Sequence, residues 1–455
     1  MNFDPLFKPE TVAVIGVSRK NDRHPANVIY NKLHLRYPVK VFAVNPQGGS
    51  ILREPIYPSI ADVPRKVDLA VIAAKAEFVP NILEQCIAAG VGGATVISGG
   101  FAEVGRPELQ ERMKRIAREA DFPFIGPNCL GVYSPDRFDT FFLPGERLVR
   151  PDVGSVALVS QSGGVLVDQM VQFTEQSVGL SVAVSIGNKA VVNELDLLDY
   201  LSRDPATRVI SFYVEGFGPN EGRAFVQKAQ SCGKPVVVLK AGKTAAGTRA
   251  VSSHTASLAG DYAVFSQVMA QHGVVEATDA SELVAYCESL SCYHQRIGNR
   301  MGIISVSGGH GALASDACAA RHMEVPILPD AIQAAIRERL SESVRSIASV
   351  ANPVDLTGSA TDDDFVEAAQ GLSRSPDLDC VLLLLLPYSP GLSLDLGARL
   401  SQVYQREGKP LIAYVPHESK YAMLIEGFQL NRVPVAASIE GAVLMADALR
   451  RCQSC

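Results

Sequence analysis

Short apolar runs punctuate the chain, and each ends in a polar or glycine-rich tip. The first five are Val12-Ala13-Val14-Ile15-Gly16, Val39-Lys40-Val41-Phe42-Ala43-Val44, Leu69-Ala70-Val71-Ile72-Ala73-Ala74, Ala94-Thr95-Val96-Ile97-Ser98 and Phe124-Ile125-Gly126. Runs of this length with little alternation read as strands buried on both faces, the habit of parallel sheets. The intervals between them are helical in pattern: one helix opens near Pro25, and others run to Ala89 and Ala120. This alternation predicts an α/β fold with a doubly wound parallel sheet. The theme returns twice. Ser155-Val156-Ala157-Leu158-Val159 leads into Ser160-Gln161-Ser162-Gly163-Gly164 and an apolar helix. Met301-Gly302-Ile303-Ile304-Ser305-Val306 leads into Ser307-Gly308-Gly309-His310-Gly311 and an Ala-rich helix. Both copies later carry Gly-Lys-Pro and another apolar strand, at Gly233-Lys234-Pro235 and Gly408-Lys409-Pro410. The second and third units therefore read as a diverged duplication. Between the first and second units, the stretch around Pro135, Pro144 and Pro151 has no clean period and reads as a linker. The expected division is 1–132, a linker over 133–153, then 154–295 and 300–455.

Composition narrows the classes. A chain of 455 residues accommodates three domains, and a net charge of −6 gives no reason to expect nucleic acid or an anionic membrane as partner. The longest apolar run, Cys380 to Pro387, is strand-sized, well short of the ~18 residues of a membrane span. The first residues lack a basic segment followed by an apolar one, so a cytoplasmic location is expected. Nine cysteines are scattered apart from Cys452 and Cys455, which suits reduced core thiols better than a disulfide framework or structural zinc.

Candidate chemistry converges on the stretch Gly242 to Gly260. It follows the apolar strand Pro235-Val236-Val237-Val238-Leu239 and holds small and hydroxylated residues, two basic side chains and His254; helical periodicity resumes at about Asp261. A loop beyond the carboxyl end of a strand is where open α/β sheets bind ligands. His254 reads either as a nucleophile that carries a phosphoryl group or as a loop histidine that caps and packs. The turn Ser160-Gln161-Ser162-Gly163-Gly164 reads as an anion cradle, because free N–H groups and the helix dipole point outward there; a routine strand-to-helix turn is the alternative. The strand Val209 to Val214 delivers Glu215 at its carboxyl end, either beside His254 as its orienting carboxylate or as a solvated acid. Of the eight histidines, His34, His272, His294 and His322 fall in or beside helices, His24 lies near the first turn, and His417 lacks a small-residue loop. His310 is the rival, but it occupies a cradle itself. No pair has H-x-x-x-H spacing, so no metal site is expected on this chain. After Gly16 come Val17, Ser18 and Arg19, which is not G-x-G-x-x-G and weakens NAD or FAD. Arg19, Lys20 and Arg23 suit a phosphorylated ligand or simple solvation.

The assembled motifs are Ser253-His254-Thr255-x-Ser257-Leu258-Ala259-Gly260, Gly126-Pro127-Asn128-Cys129-Leu130-Gly131, Ser160-Gln161-Ser162-Gly163, Ser185-Ile186-Gly187-Asn188, Asn45-Pro46 and Ser98-Gly99-Gly100-Phe101. Over nearly its whole length the chain resembles the nucleoside-diphosphate-forming acyl-CoA synthetase family, related to succinyl-CoA synthetase. The resemblance implies a Rossmann-like CoA-binding domain followed by two flavodoxin-like domains, the first carrying the phosphohistidine and the second the ligase domain. It implies interconversion of acyl-CoA, ADP and phosphate with carboxylic acid, CoA and ATP, through an acyl phosphate and a phosphohistidine. In that reading His254 is phosphorylated with Glu215 as partner, and Gly16, Ser18, Arg19, Asn45, Ala73 and Ser98 line the coenzyme A site. Asn128, the turn Ser160-Gln161-Ser162-Gly163 and Gly308-Gly309 surround the acyl phosphate or phosphohistidine. Two positions depart from the family: Ala256 replaces a glycine, and Lys75 replaces a proline, to contact a CoA phosphate or face solvent. The family's ATP-grasp domain has no counterpart here. The resemblance therefore implies an α-type subunit of a hetero-oligomer, with ATP or ADP and Mg²⁺ held by a separate ATP-grasp β-type subunit and a mobile loop around Gly242, Gly247 and Gly260. Two rival readings are a non-catalytic CoA-sensing protein that kept the fold and an NAD-type oxidoreductase.

Overall fold

The apolar runs are strands whose side chains have little exposed surface: Val12, Ala13, Val14, Leu69, Ala70, Val71 and Ile72 are fully buried. In this computed structural model the described residues are 1–254, 261–416 and 419–453. The chain divides into two compact units, 1–278 and 279–455.

The first unit holds two sheets. One comprises β1 (Thr11–Ile15), β2 (Lys40–Val44), β3 (Gly49–Ile51), β4 (Glu54–Tyr57), β5 (Leu69–Ile72), β6 (Gly93–Val96) and β7 (Phe124–Ile125). Their order is β3-β4-β2-β1-β5-β6-β7, all parallel except the β3–β4 pair. The order reverses at β1, which pairs with β2 on one side and β5 on the other, so a crevice opens beyond the strand tips there.

The other sheet is built from β8 (Gly131–Ser134), β9 (Phe138–Asp139), β10 (Val153–Ser160), β11 (Leu180–Ser185), β12 (Val209–Val214), β13 (Val236–Lys240) and β14 (Val275–Ala277). It runs β14-β13-β12-β10-β11-β8-β9. Strands β10 to β14 are parallel, in the flavodoxin-like order. Strands β8 and β9 form a hairpin whose first strand lies antiparallel on β11.

That hairpin corrects the expected linker over 133–153. Its turn is Pro135-Asp136, with Asp136 at φ 60°, and it covers the β11 edge that would otherwise stay unpaired. Asp139 is fully buried and pairs with Lys32 Nζ at 2.9 Å and Arg150 Nε at 2.7 Å. A second correction concerns the stretch before His254. Residues Ala245–His254 form a helix, not a loop. Thr244 starts it: its Oγ1 accepts from Gly247 N at 3.1 Å and its carbonyl from Thr248 N at 2.7 Å. The next helix, Tyr262–Gln271, begins as expected behind Asp261, whose Oδ1 accepts from Ala263 N and Val264 N.

The second unit is one five-stranded parallel sheet of β15 (Met301–Ser305), β16 (Val354–Asp355), β17 (Cys380–Leu384), β18 (Leu411–Tyr414) and β19 (Val435–Ala436). Its order is β16-β15-β17-β18-β19, again flavodoxin-like. The helix Ala280–Cys292, which the sequence division put before the third domain, packs on the helix Ile439–Arg451 of this unit. The two Gly-Lys-Pro lysines do the same work in each copy. Lys234 Nζ donates to Leu201 O at 2.7 Å and Asp204 O at 2.6 Å; Lys409 Nζ donates to Ser375 O and to Leu378 O. Each lysine thus satisfies orphan carbonyls where a preceding helix ends, so this repeat serves the fold. Among the described residues no helix is long and apolar enough to cross a membrane.

Candidate active site

The tips of β1, β2, β5 and β6 gather the residues expected at the coenzyme A site. Gly16 has φ 107°, and a Cβ there would run into Ala73 O, so only glycine fits this turn. Ser18 Oγ accepts from Lys20 N at 3.2 Å and Asn21 N at 3.1 Å, and Asn27 Oδ1 accepts from Ser18 N at 2.6 Å. Asn45 Nδ2 donates to Val17 O at 2.9 Å, which ties the β2 tip to the β1 tip. Ser98 Oγ donates to Ala74 O at 2.6 Å and accepts from Ala74 N at 3.0 Å, tying β6 to β5. Arg19 and Lys75 are exposed. Arg19 lies against Gly49, where an added Cβ would meet its Nε at 2.9 Å. His24 caps its helix through Nδ1, which accepts from Ala26 N at 3.3 Å.

This row of tips continues into the second sheet. Asn128 N donates to Ser98 O at 2.8 Å, and Asn128 Nδ2 reaches Asn188 Oδ1 at 3.3 Å. The loop after β11 interlocks with that after β7: Asn188 N donates to Pro127 O at 2.9 Å and Ala190 N to Gly126 O at 3.0 Å. Gly187 (φ 54°) is the contact point, since a Cβ would collide with the carbonyls of Pro127 and Asn128. Asn188 Nδ2 also donates to Glu103 Oε2 at 2.6 Å and Gln110 Oε1 at 3.0 Å.

A cleft of about 690 Å³ opens beside this junction, between Gly99, Asn128 and Asn188 on one side and Ser162, Gly163 and Gly164 on the other. The helix Gly163–Glu175 starts here under Ser162, whose Oγ accepts from Val165 N. Ser160 Oγ donates to Ser162 O at 2.7 Å and accepts from Ser162 N at 3.2 Å, so the turn is rigid. Among the described residues the amides of Gly163 and Gly164 meet no protein acceptor. Two unpaired N–H groups at a helix N-terminus are an anion site in waiting. Gly163 is required by space, as a Cβ would stand 2.9 Å from Leu130 Cγ.

Glu215 is 4% exposed at the β12 tip. Its amide donates to Gln161 Oε1 at 2.6 Å, and its carbonyl accepts from Lys240 Nζ at 2.8 Å. Burial, opposed by the Glu215 charge, pushes the Lys240 ammonium below its ordinary range. Burial and then the Glu215 charge push Tyr213 up to about 12. His254 is the last residue of its helix; its side chain and Thr255 to Gly260, including Ala256, lie outside the described residues, as does His417. In the second unit, Gly308 and Gly309 open the helix Gly308–Ala320 under Ser307, and His310 Nδ1 sits 3.2 Å from Ser307 Oγ.

Sequence reading missed two residues here. Lys189 (φ 45°) donates from Nζ to Glu194 Oε1 at 2.9 Å and Gly216 O at 2.8 Å. Glu194 is 1% exposed, held as the first residue of its helix by an Asn193–Asp196 capping box. The box was legible as Asn-x-x-Asp ahead of an apolar helix; nothing in the sequence marks Lys189. Among the described residues no cluster suits a metal ion.

Residues 10–135 match the CoA binding domain family, and residues 153–290 match the family described as succinyl-CoA ligase like flavodoxin domain. The chain is 32% identical to acetate–CoA ligase [ADP-forming] I subunit alpha of Pyrococcus furiosus, over 99% of this chain and 97% of the relative. The chain belongs to the nucleoside-diphosphate-forming acyl-CoA synthetase family. It is also 38% identical to acetate–CoA ligase [ADP-forming] I of Archaeoglobus fulgidus, over 84% of this chain, and spans only 54% of that longer protein. Among solved structures it resembles the dinucleotide-forming acetyl-coenzyme A synthetase 1 of Ca. Korarchaeum cryptofilum in complex with phosphate and ADP. That match has TM-score 0.87 at 31% identity and covers 99% of this chain and 96% of the other. Membership of this family sets aside the oxidoreductase reading that the missing glycines already disfavoured.

Proposed function

We propose that the chain is the α-type subunit of an ADP-forming acid–CoA ligase. In the direction of ATP synthesis, phosphate displaces CoA from the acyl thioester, giving an acyl phosphate and the free thiol. An imidazole nitrogen of His254 then attacks phosphorus, the P–O bond to the acyl group breaks, and the carboxylic acid leaves as its carboxylate. The phosphoryl group passes from His254 to the terminal oxygen of ADP. Glu215 orients the imidazole and balances its charge. Nucleotide and Mg²⁺ belong to an ATP-grasp β-type partner. The relatives named as alpha subunits support a separate second subunit, and the solved relative with phosphate and ADP supports the chemistry.

One observation carries the reading: the free amides of Gly163 and Gly164 open on the same cleft as Asn128, at the end of the row of CoA-binding tips. A thioester laid along that row ends where an anion is welcome. The helix dipole contributes up to about 2 kcal/mol to a partly buried phosphate, enough to hold it without trapping it. The reading is tested by copurifying the chain with its partner subunit and adding γ-³²P-ATP. Acid-labile label is expected on the chain, and His254→Asn is expected to remove it and to lower turnover by about 10³-fold or more. Label that persists in His254→Asn refutes the assignment. CoA binding without any label in the wild-type complex favours a CoA-sensing role.

A further inference from the structure

Gln161 stands in the middle of the cradle turn at the edge of the cleft, yet its side-chain amide is spent on neighbouring protein groups. It is 5% exposed, and its amide is fully committed. Oε1 accepts from Glu215 N at 2.6 Å and from Gly216 N at 3.2 Å. Nε2 donates to Gly216 O at 2.9 Å and to Glu194 Oε1. Lys189 Nζ binds the same two acceptors and completes the cluster. A buried amide with every donor and acceptor used fixes the groups around it, and here those groups are the backbone of the Glu215 turn.

The duplicated unit provides an internal control. Ser305 Oγ donates to Ser307 O at 3.0 Å and accepts from Ser307 N at 3.0 Å, the same arrangement as Ser160 and Ser162. The residue between them is Val306, buried and unable to hydrogen-bond. At the tip of β17, which lies next to β15 as β12 lies next to β10, Leu386 takes the place of Glu215, two residues past the partner of Ser305 as Glu215 is two past the partner of Ser160. A turn of this geometry therefore forms without the amide. The glutamine accompanies the glutamate, and the copy that lacks one lacks the other.

We infer that Gln161 is a positioning residue: it ties the Glu215 turn to the phosphate cradle, so that the carboxylate assigned above to orient His254 and the amides assigned to phosphate keep one fixed spacing. This rests on the function proposed above. The test uses the complex of the chain with its partner subunit, with rapid-quench transfer of ³²P from γ-labelled ATP and steady-state kinetics across pH. Gln161→Val installs the residue that the sister turn tolerates. It is expected to slow transfer about 10- to 100-fold, the size of a misplacement near 1 Å, and to alter the pH profile. KM for CoA and for the acid is expected to stay within about twofold. Gln161→Met carries the same expectation should the valine chain not fold. The exchange of Gln161→Glu together with Glu194→Gln keeps an acceptor for the Glu215 and Gly216 amides and is expected to recover most of the rate. Transfer at the wild-type rate and pH profile in Gln161→Val, or a loss the double exchange leaves untouched, overturns the inference. A wild-type chain that takes no label overturns the proposed function as well.

Discussion

Glu288 shows how one side chain sets a pH limit on a whole sheet. It sits buried in the helix Ala280–Cys292, and its Oε1 accepts from Val435 N at 2.9 Å. Burial, only partly offset by that hydrogen bond, pushes its carboxyl up to about 8. The folded chain thus holds a proton that the unfolded chain, with an ordinary carboxyl pKa of about 4.3, gives up earlier. Stability from this group is complete below the unfolded value and is lost as pH rises through the folded one. Thermal melts from pH 5 to pH 9 are expected to show falling stability, by about 4 kcal/mol at the alkaline end. Glu288→Gln is expected to flatten that slope; an unchanged slope would dismiss the assignment. No sequence signal marked Glu288, since a glutamate in an amphipathic helix reads as solvated. Asp139 was hidden in the same way, inside a stretch read as linker, because its partners, buried Lys32 and half-buried Arg150, are remote in sequence or proline-flanked.

At the scale of elements, the buried strands were legible because parallel strands covered on both faces need continuous apolar runs. The helix Ala245–His254 was not. Gly247, Thr248 and Val251 lower its intrinsic propensity, and its serines read as loop residues. Its start depends on Thr244, which supplies both the side-chain acceptor and the first carbonyl acceptor. Thr244→Ala is expected to cost this helix about 1 kcal/mol. Hydrogen exchange should show faster amides over 247–251, with β13 unchanged. The cradle turns were visible as Ser/Gly motifs, but the division of labour within one was not: Gly163 and Gly164 offer amides, while Gln161 faces inward.

At the scale of the molecule, three mainly parallel sheets form two compact units, and of the two boundaries expected from the sequence only the second falls between sheets, the first cutting β8. Fragments 1–278 and 279–455 are expected to fold separately, with cooperative melts and dispersed amide spectra. Fragments cut at residue 150 are expected to fail, since β8 and β9 then leave with the wrong half and β11 is exposed. Two soluble, cooperatively melting products of that cut would refute the description of the second sheet as one object. The hairpin also governs how this family can be recombined. A chimera that borrows its CoA-binding half with a seam at residue 135 would splice inside the β8–β9 turn, joining half-hairpins of foreign parentage. A graft placed ahead of Gly131 keeps the hairpin whole and inherits its register on β11 from a single parent, whereas one placed past Asp139 sets an intact hairpin on a foreign β11.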